Sequence, residues 1–501
     1  MTQLRQHQAE TDQSFSEIDR PTLLAALARL VPVANLLTDE EDLRPYECDG
    51  LSAYRQVPLA VVLAEDEAQV VAVLQTCQRL GVPVVARGAG TGLSGGALPH
   101  GQGVLLSLAK MKRLLRLDPL ARIAVVQPGV RNLAISEAAA PYGLYYAPDP
   151  SSQIACSIGG NIAENAGGVH CLKYGLTVHN VLRVRAVTMD GAVLEFGSHG
   201  LDAPGYDLLA LMVGSEGMLA VVTEVTVRLV PKPETARVIM ASFADVAQAG
   251  DAVAAVIAAG IIPAGLEMMD QAATRAVEPF VKAGYDLDAA AILLCESDGT
   301  VEEVAEEIER MSAVLSASGA GSLRISNNEA ERLKFWAGRK AAFPAAGRIS
   351  PDYYCMDGTL PRQALGAMLR AIADMERRYQ LRCINVFHAG DGNLHPLILY
   401  DANAPGELHA AEAFGAEILE ASVRLGGTIT GEHGVGFEKL GGMCVQFSSA
   451  ELTKFHAVKA AFDPQGLLNP GKAVPSLHRC AEMGRMHVHR GELKFPDIER
   501  F

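Results

Sequence analysis

Several features common in other protein classes are missing from this sequence. No stretch reaches about 18 uninterrupted apolar residues, so no membrane-spanning helix is expected. The first ten residues, MTQLRQHQAE, carry no apolar segment of the secretory type, which predicts a cytoplasmic protein. Positive charge is scarce too: 43 Lys and Arg against 58 Asp and Glu give a net charge of -15, so no nucleic-acid partner is expected. Because an acidic surface does not attract a small anion over a long range, a carboxylate substrate would need a local cationic site.

Cysteine patterns that build covalent or metal frameworks are missing as well. The nine cysteines are scattered along the chain, and no Cys-x-x-Cys pair occurs. This spacing argues against a disulfide framework and against an iron–sulfur cluster held by this chain, and it fits a reducing compartment.

Length and composition indicate a multidomain globular protein. With 501 residues, 49% of them hydrophobic and 20% charged, the chain has material for two to four domains with ample cores. The prolines Pro231 and Pro233 stop both helices and strands, so they mark a boundary. We expect a helical lead over residues 1–50, one domain over 51–232, a second over 233–475 and a tail over 476–501.

Hydrophobic periodicity differs on the two sides of that boundary. Before it, a β–α–β pattern begins near residue 59, and Gly81 is expected to stop its helix. After it, strands alternate with longer helices, which predicts an α/β domain with helices covering one sheet. The expected strands lie over 59–63, 82–86, 237–243 and 290–295, and the expected helices over 67–80, 244–259 and 301–315.

Two glycine-rich segments in the second half gather the side chains most suited to chemistry. The first reads His-Ala-Gly-Asp-Gly-Asn-Leu-His over 388–395, and the second reads Gly-Glu-His-Gly-Val-Gly over 431–436. Strand patterns flank the first segment, so we expect a hairpin that sets His388 and His395 opposite each other. Imidazoles and a carboxylate suit a divalent cation such as zinc or manganese. One such residue alone would be an ordinary loop residue, but four in two such loops favour a site.

Three glycine-rich stretches in the first half predict a nucleotide site. They are Arg87–Gly96, the pair 147–152 with 157–168, and Gly214–Gly217. Glycine allows close approach of the backbone to a phosphate, and successive N–H groups form an anion nest. A single loop of this kind is more often a tight surface turn. Three within about 130 residues predict a site that wraps one long dinucleotide.

A Rossmann fingerprint does not account for the first loop, although it contains Gly88-x-Gly90. The residues that follow, Leu-Ser-Gly-Gly-Ala-Leu-Pro-His-Gly, cannot begin a packed helix. No acidic residue ends a second strand about 20 residues later, as a NAD-binding unit requires. A NAD-dependent reductase is therefore the less favoured interpretation.

In this order the loops resemble the FAD-binding domain of vanillyl-alcohol-oxidase-type flavoproteins. The segments 388–395 and 431–436 resemble the C-terminal domain of the D-2-hydroxy-acid dehydrogenase branch of that family, and the resemblance covers about residues 50–475. It implies an α+β fold, with a two-subdomain FAD-binding domain and an α/β substrate cap domain that has a large antiparallel sheet. The segments 336–344, 350–362 and 486–489 are most similar to glycolate-oxidising members.

The resemblance also implies how FAD is held. Related families attach flavin covalently through a histidine in the first glycine loop, whereas this chain has Ala89, so FAD is expected to be non-covalent. The residues expected to contact it are Arg87, Gly88, Gly90, Thr91, Gly92, Ser94, Gly95, Pro148, Asp149, Ser152, Gly159, Gly160, Asn161, Gly167, Gly168, Glu216, Gly217 and Asn469.

Roles at the reacting end follow from the same resemblance. His388, His395 and Glu432 are expected to ligate the divalent metal, Zn or Mn, and His433 is expected to be the general base. Arg339 is expected to bind the substrate carboxylate. From the residues alone, Arg339 reads equally well as an exposed helix arginine, with Trp336 one turn earlier supporting either interpretation.

The implied reaction is FAD-dependent oxidation of a small 2-hydroxy acid by hydride transfer to flavin N5. Glycolate to glyoxylate is the expected conversion, with D-lactate to pyruvate beside it. Dehydrogenation of D-lactate or D-2-hydroxyglutarate is the alternative. Two positions weaken the 2-hydroxyglutarate interpretation: Leu397 stands where some relatives have a polar residue, and Tyr354 stands where diacid-using relatives have a longer cationic residue. A non-catalytic flavin-bearing scaffold subunit is the alternative from another class, and the intact His and Glu set argues against it.

Reoxidation of the flavin implies partner subunits. The resemblance implies an iron–sulfur subunit and a second flavin-family subunit of a glycolate-oxidising complex, with any contact to the inner face of the cytoplasmic membrane made only through them. The tail over 476–501 is rich in His and Arg for so acidic a chain, so it is a candidate docking element. A strand or coil packed on its own domain is the equal alternative.

Overall fold

The computed structural model describes residues 15, 18–200 and 205–475 and the strand residues 488–489 and 492–493. Within them helices and strands are mixed, and the predicted α+β class is confirmed. No helix in this described part is both long and apolar enough to cross a membrane. Apart from its two short strands, the candidate docking tail lies outside the described residues, so its role stays a prediction.

The first sheet has four strands and contains the predicted β–α–β unit. Its helix spans Glu67–Leu80, where the Asp66 carboxylate accepts from the Gln69 N–H and Gly81 ends the helix at a φ of +66°. Its three four-residue strands are parallel to one another, as the crossover requires. In spatial order the strands are Leu36–Leu37, Ala60–Leu63, Val104–Ser107 and Val84–Arg87.

The second sheet has five antiparallel strands and a buried core of its own. In spatial order they are Leu114–Asp118, Ile123–Val126, Val221–Arg228, Val181–Val187 and Val193–Gly197. The helices near it are Asn132–Ala139, Ile158–Glu164, Thr177–Asn180 and Leu208–Met212, whereas the short helix Cys171–Tyr174 lies against the strand Gly265–Asp270.

The third sheet has seven strands, all antiparallel, and it is covered by helices on both faces. Its strands are therefore nearly continuous in apolar residues rather than alternating, as in Ala291–Gly299, which is buried from Ala291 to Asp298. In spatial order the strands are Ser322–Ile325, Thr235–Phe243, Ala291–Gly299, Gly265–Asp270, Cys383–His388, Asn393–Tyr400 and Asp352–Cys355.

The helices around this sheet divide between its faces. One face carries Val246–Ala258, Val301–Ala317, Leu365–Tyr379 and Glu407–Arg424, and the other carries Gln271–Val281 and Glu329–Ile349. The remaining long helices are Arg20–Leu27 and Ser449–Phe462.

The glycine-loop half of the chain is tied to the third sheet by a carboxylate–imidazole–carboxylate bridge. His170 Nδ1 lies 2.7 Å from Asp149 Oδ2, and its Nε2 lies 3.2 Å from Glu296 Oε1. Lys173 Nζ adds an ion pair of 2.6 Å to Asp298 Oδ1. Burial opposes protonation of His170, but Asp149 and Glu296 outweigh it and hold the pKa well above its ordinary value.

Replacing His170 by Gln is expected to destabilise the protein in a pH-dependent way. Because the pKa of His170 is raised in the folded state, its charged form contributes its full stabilisation below the unfolded-state pKa. This contribution is lost as the pH rises through the folded-state pKa. The variant should therefore lose ~2 kcal/mol of stability near pH 6, and less near pH 9. Thermal unfolding of both proteins at the two pH values measures this. An equal loss at both pH values would mean that His170 is not charged in the bridge.

Candidate active site

The first chemistry-bearing segment is a hairpin between the strands Cys383–His388 and Asn393–Tyr400. His388 pairs with Asn393, and His395 pairs with Val386. The expectation that the two histidines stand directly opposite is therefore wrong. They lie diagonally on one face, because four residues form the turn, and their ring centroids are 5.1 Å apart. Gly392 closes the turn at a φ of +82°, where a side chain would overlap the Leu360 carbonyl oxygen.

The second segment is held by Asp357, which is completely buried. Its carboxylate accepts from the N–H groups of Glu432, at 3.1 Å, and His433, at 2.9 Å. Lys439 Nζ lies 3.1 Å away. Burial opposes ionisation, but the Lys439 ammonium outweighs it and holds the pKa of Asp357 well below its usual range. The Gly-Glu-His-Gly turn is thus fixed by a buried anion.

The structure brings the three histidines and the glutamate together. Glu432 Oε1 lies 2.9 Å from His395 Nε2, 3.5 Å from His388 Nε2 and 3.6 Å from His433 Nε2. One ligand atom from each of His388, His395 and Glu432 falls within 4.8 Å of the others. The rings of His395 and His433 are stacked at 5.0 Å with 8° between their planes. We call these four residues the His/Glu centre.

Electrostatics differ among the members of the His/Glu centre. Burial lowers the pKa of His395, which favours the neutral ring that a metal ligand or a base needs. For His388, burial acts in the same direction, but the Glu267 carboxylate outweighs it and raises the pKa well above its ordinary value. Burial opposes ionisation of Glu432, but His388 outweighs it and holds the pKa well below its usual range.

Arg339 is bound to the same buried carboxylate as His388. Glu267 Oε2 accepts from Arg339 Nε at 2.7 Å, and Glu267 Oε1 lies 2.6 Å from His388 Nδ1. Arg339 is 2% exposed, so the alternative of an exposed helix arginine is wrong. Trp336 supports neither interpretation of Arg339, since its Nε1 donates to Glu296. The Nη2 of Arg339 is buried with no hydrogen-bond partner in the described structure.

The three glycine loops line one cleft of about 500 Å³, which also reaches the His/Glu centre. The expected cofactor residues on its walls are Arg87, Gly88, Gly90, Thr91, Gly92, Ser152, Gly159, Gly160, Asn161, Glu216 and Gly217. Those that the described walls do not include are Ser94, Gly95, Pro148, Asp149, Gly167, Gly168 and Asn469. His395, Glu432 and His433 line the same cleft.

Ser94 and Asn469, outside the walls, and Glu216, on the walls, join the loops to each other. Ser94 Oγ donates to the His433 carbonyl at 2.7 Å. Glu216 accepts from the N–H groups of Val435, at 2.7 Å, and Gly436, at 2.6 Å. Asn469 Nδ2 donates to the Glu216 carbonyl at 2.6 Å. The glycine loops and the Glu432 turn are therefore one connected structure.

Sequence reasoning missed residues of two kinds. Lys340 and Phe343 line the cleft from the helix Glu329–Ile349, and the spacing of four residues from Arg339 was the signal that could have found Phe343. Glu164 lines it too, within a segment that was singled out only for its glycines. Glu267 has no local signal, because it lies inside an apolar strand far along the chain from its partners.

Comparison with known proteins places both halves of the chain. Residues 58–197 match the family model of an FAD binding domain, and residues 232–473 match that of the C-terminal domain of FAD linked oxidases. The chain is 62% identical over 495 residues to glycolate oxidase subunit GlcD of Escherichia coli strain K12, covering 99% of both chains. It is 39% identical to subunit GlcD of Bacillus subtilis, over 85% of this chain and 91% of that one.

More distant relatives share the fold. D-lactate dehydrogenase of Anaerostipes hadrus is 30% identical, over 90% of this chain and 97% of that one. Among solved structures, p-cresol methylhydroxylase superposes with a TM-score of 0.76 at 18% identity, covering 91% of this chain and 97% of that one. The 4-ethylphenol oxidase of Gulosibacter chungangensis gives 0.76 at 17% identity, with 93% and 99% covered.

Proposed function

This chain belongs to the FAD-linked oxidases of the vanillyl-alcohol-oxidase type, and from that membership we propose that it oxidises glycolate to glyoxylate as the flavin-bearing subunit of a glycolate oxidase. It is an FAD-dependent oxidoreductase, and D-lactate is the related substrate. The observation that carries the proposal is that His395, Glu432 and His433 of the His/Glu centre line the same cleft as the glycine loops. A site for a redox cofactor and a site for an acidic alcohol are thereby side by side.

The cleft fits FAD by its shape and by its unpartnered polar groups. Gly88 and Gly159 are packed so closely against the neighbouring cleft residues Ser157 and Pro128 that a side chain on either glycine would collide with them. Asn161 Nδ2 and Glu164 Oε2 are buried without hydrogen-bond partners in the described structure, as expected of atoms that face a cofactor. When bound, FAD supplies the acceptor for the hydride that leaves C2 of the substrate. The absence of a histidine at position 89 supports non-covalent binding.

The His/Glu centre fits a divalent cation of the zinc or manganese class. His388, His395 and Glu432 offer two imidazoles and one carboxylate, a donor set that such ions prefer. Glu267 holds the His388 ring through Nδ1, which leaves Nε2 directed at the centre. When bound, the cation supplies positive charge that favours ionisation of the substrate hydroxyl.

His433 and Arg339 complete the proposed chemistry. His433 Nε2 faces the centre, 3.6 Å from Glu432 Oε1, and would take the hydroxyl proton. The unpartnered Nη2 of Arg339 is available for a substrate carboxylate, while Glu267 fixes the Nε edge of the same guanidinium. A small substrate would thus be held at its carboxylate and deprotonated at its hydroxyl.

Electrons must leave the flavin through other subunits of the proposed complex. The relatives from Escherichia coli and Bacillus subtilis are each named as a subunit, which supports assembly with partners. We infer that an iron–sulfur subunit and a second flavin-family subunit receive the electrons. Any association with the inner face of the cytoplasmic membrane would be made through these partners.

Anaerobic reduction of the bound flavin tests the proposal. Glycolate is expected to bleach the flavin absorption bands fastest and D-lactate more slowly. D-2-hydroxyglutarate should have little effect, because the buried Leu397 offers no polar group for a second carboxylate. Stopped-flow absorbance with each acid measures the three rates.

Two outcomes would contradict this proposal. Flavin bands that none of the acids bleaches would support a non-catalytic flavin-bearing subunit instead. Fastest bleaching by D-lactate or D-2-hydroxyglutarate would keep the reaction class and replace the substrate.

A further inference from the structure

Glu164 is a cleft residue that the proposed chemistry does not use. It ends the helix Ile158–Glu164, within the second glycine-rich stretch, and its side chain lines the cleft. Its Oε2 is buried, and no hydrogen-bond partner for it is present in the described residues. A buried carboxyl oxygen without a partner is costly, so a bound molecule that pairs with it would gain affinity.

The carboxyl group of Glu164 stands at the reacting end of the cleft. A Cβ built on Gly96 would lie 2.7 Å from Oε1, and one built on Gly434 would overlap Oε2. Gly434 is two residues beyond Glu432, so the carboxyl group adjoins the turn that carries the His/Glu centre. The isoalloxazine ring must lie near that centre to accept hydrogen from a substrate held there. Glu164 therefore faces the ring part of FAD rather than the nucleotide part.

The charge state of Glu164 follows from its neighbours. Burial raises the pKa of its carboxyl well above the ordinary value, and the Glu216 carboxylate raises it further. Asp49, Lys439 and Lys472 are the other charged groups around it. Glu216 already accepts two backbone N–H bonds, which stabilise its charged form. In this pair the proton therefore resides on Glu164, whose carboxyl can donate as well as accept.

We propose that Glu164 is a cofactor-binding residue whose neutral carboxyl group pairs with the imide edge of the isoalloxazine ring. Its O–H donates to a ring carbonyl, and its C=O accepts from the ring N3–H, as two parallel hydrogen bonds. This rests on the proposed function, since it requires FAD in the cleft. The pairing fixes the ring plane beside the His/Glu centre and stabilises the negative charge that the reduced ring carries.

Two substitutions of Glu164 test the pairing. Glu164→Gln keeps one donor and one acceptor in the same geometry, so FAD should bind within about threefold of the wild-type affinity. Glu164→Leu has similar size and neither group, so FAD should bind about 10- to 100-fold more weakly. The potential of the flavin still bound should fall in the Leu variant and change little in the Gln variant. Glu309→Leu, on an exposed helix face, is the control and should change neither quantity.

The readouts are the dissociation constant by flavin fluorescence and the midpoint potential by dye equilibration, both without substrate. Wild-type affinity and potential in Glu164→Leu would overturn the proposal. Equal losses in folded Glu164→Gln and Glu164→Leu would overturn it too, because a charged carboxylate would then be what matters. If the Leu variant does not fold, Glu164→Met takes its place, because it has a similar length and no strong donor or acceptor, and the same loss of affinity is expected. Failure of glycolate to bleach wild-type flavin would instead count against the proposed substrate.

Discussion

The Gly88→Ala variant is expected to lose FAD while its sheets stay folded. A methyl group on residue 88 would overlap the Ser157 hydroxyl, which accepts from the Ala89 N–H at 3.3 Å. The first and second glycine loops would be pushed apart where they touch each other beside the cleft. Overpacking of this kind costs 1–3 kcal/mol, so affinity should fall on the order of 100-fold. The ratio of flavin to protein absorbance after purification, followed by FAD titration, measures it.

Two further variants separate a collision between the loops from a contact with the cofactor. In Gly92→Ala the new methyl group would have only Asp49 Oδ2 near it, at 3.8 Å, so the protein itself accommodates it. The double variant Gly88→Ala, Ser157→Ala removes the hydroxyl that collides and should recover part of the affinity. A full flavin complement in Gly88→Ala alone would contradict the placement of FAD between these loops.

The elements that could be predicted from the sequence are those with local signals. The helix Glu67–Leu80 was predicted with its correct bounds, because Gly81 marks its end and apolar residues mark one face. The hairpin after Cys383 was predicted as well, since its glycine-rich turn separates two strand patterns. Its pairing was wrong because the register depends on the number of turn residues that leave the ladder, which the pattern does not specify.

The two buried carboxylates that hold the site in place could not be predicted, because they are far along the chain from the residues that they bind. Glu267 joins Arg339 to His388 across 72 and 121 residues. Asp357 holds the Glu432 turn from 75 residues away. In the sequence both acids stand among residues that read as ordinary strand or loop positions. Only the folded sheet shows that each carboxylate is buried beneath the His/Glu centre.

The Glu432→Gln variant is expected to lose substrate oxidation while it keeps FAD. The amide has the same size, but it cannot neutralise a cation or balance the three imidazoles that surround Oε1. Flavin reduction by glycolate should slow on the order of 10³-fold. His388→Ala should slow it less, because it removes a neutral ligand and leaves the carboxylate. Single-turnover stopped-flow absorbance measures the rates, with Glu309→Gln as the exposed control.

Chelation tests whether the loss of rate in Glu432→Gln depends on the proposed cation. Exhaustive chelation of the wild-type protein should reproduce the Glu432→Gln rate without releasing FAD, and re-addition of zinc or manganese should restore the wild-type rate. Chelation of Glu432→Gln itself should change little, because its cation site is already impaired. An unchanged reduction rate in fully metal-free wild-type protein would remove the cation from the chemistry. Glu432 would then act only through charge on the three imidazoles, and His433 would have to accept the hydroxyl proton without help from a metal.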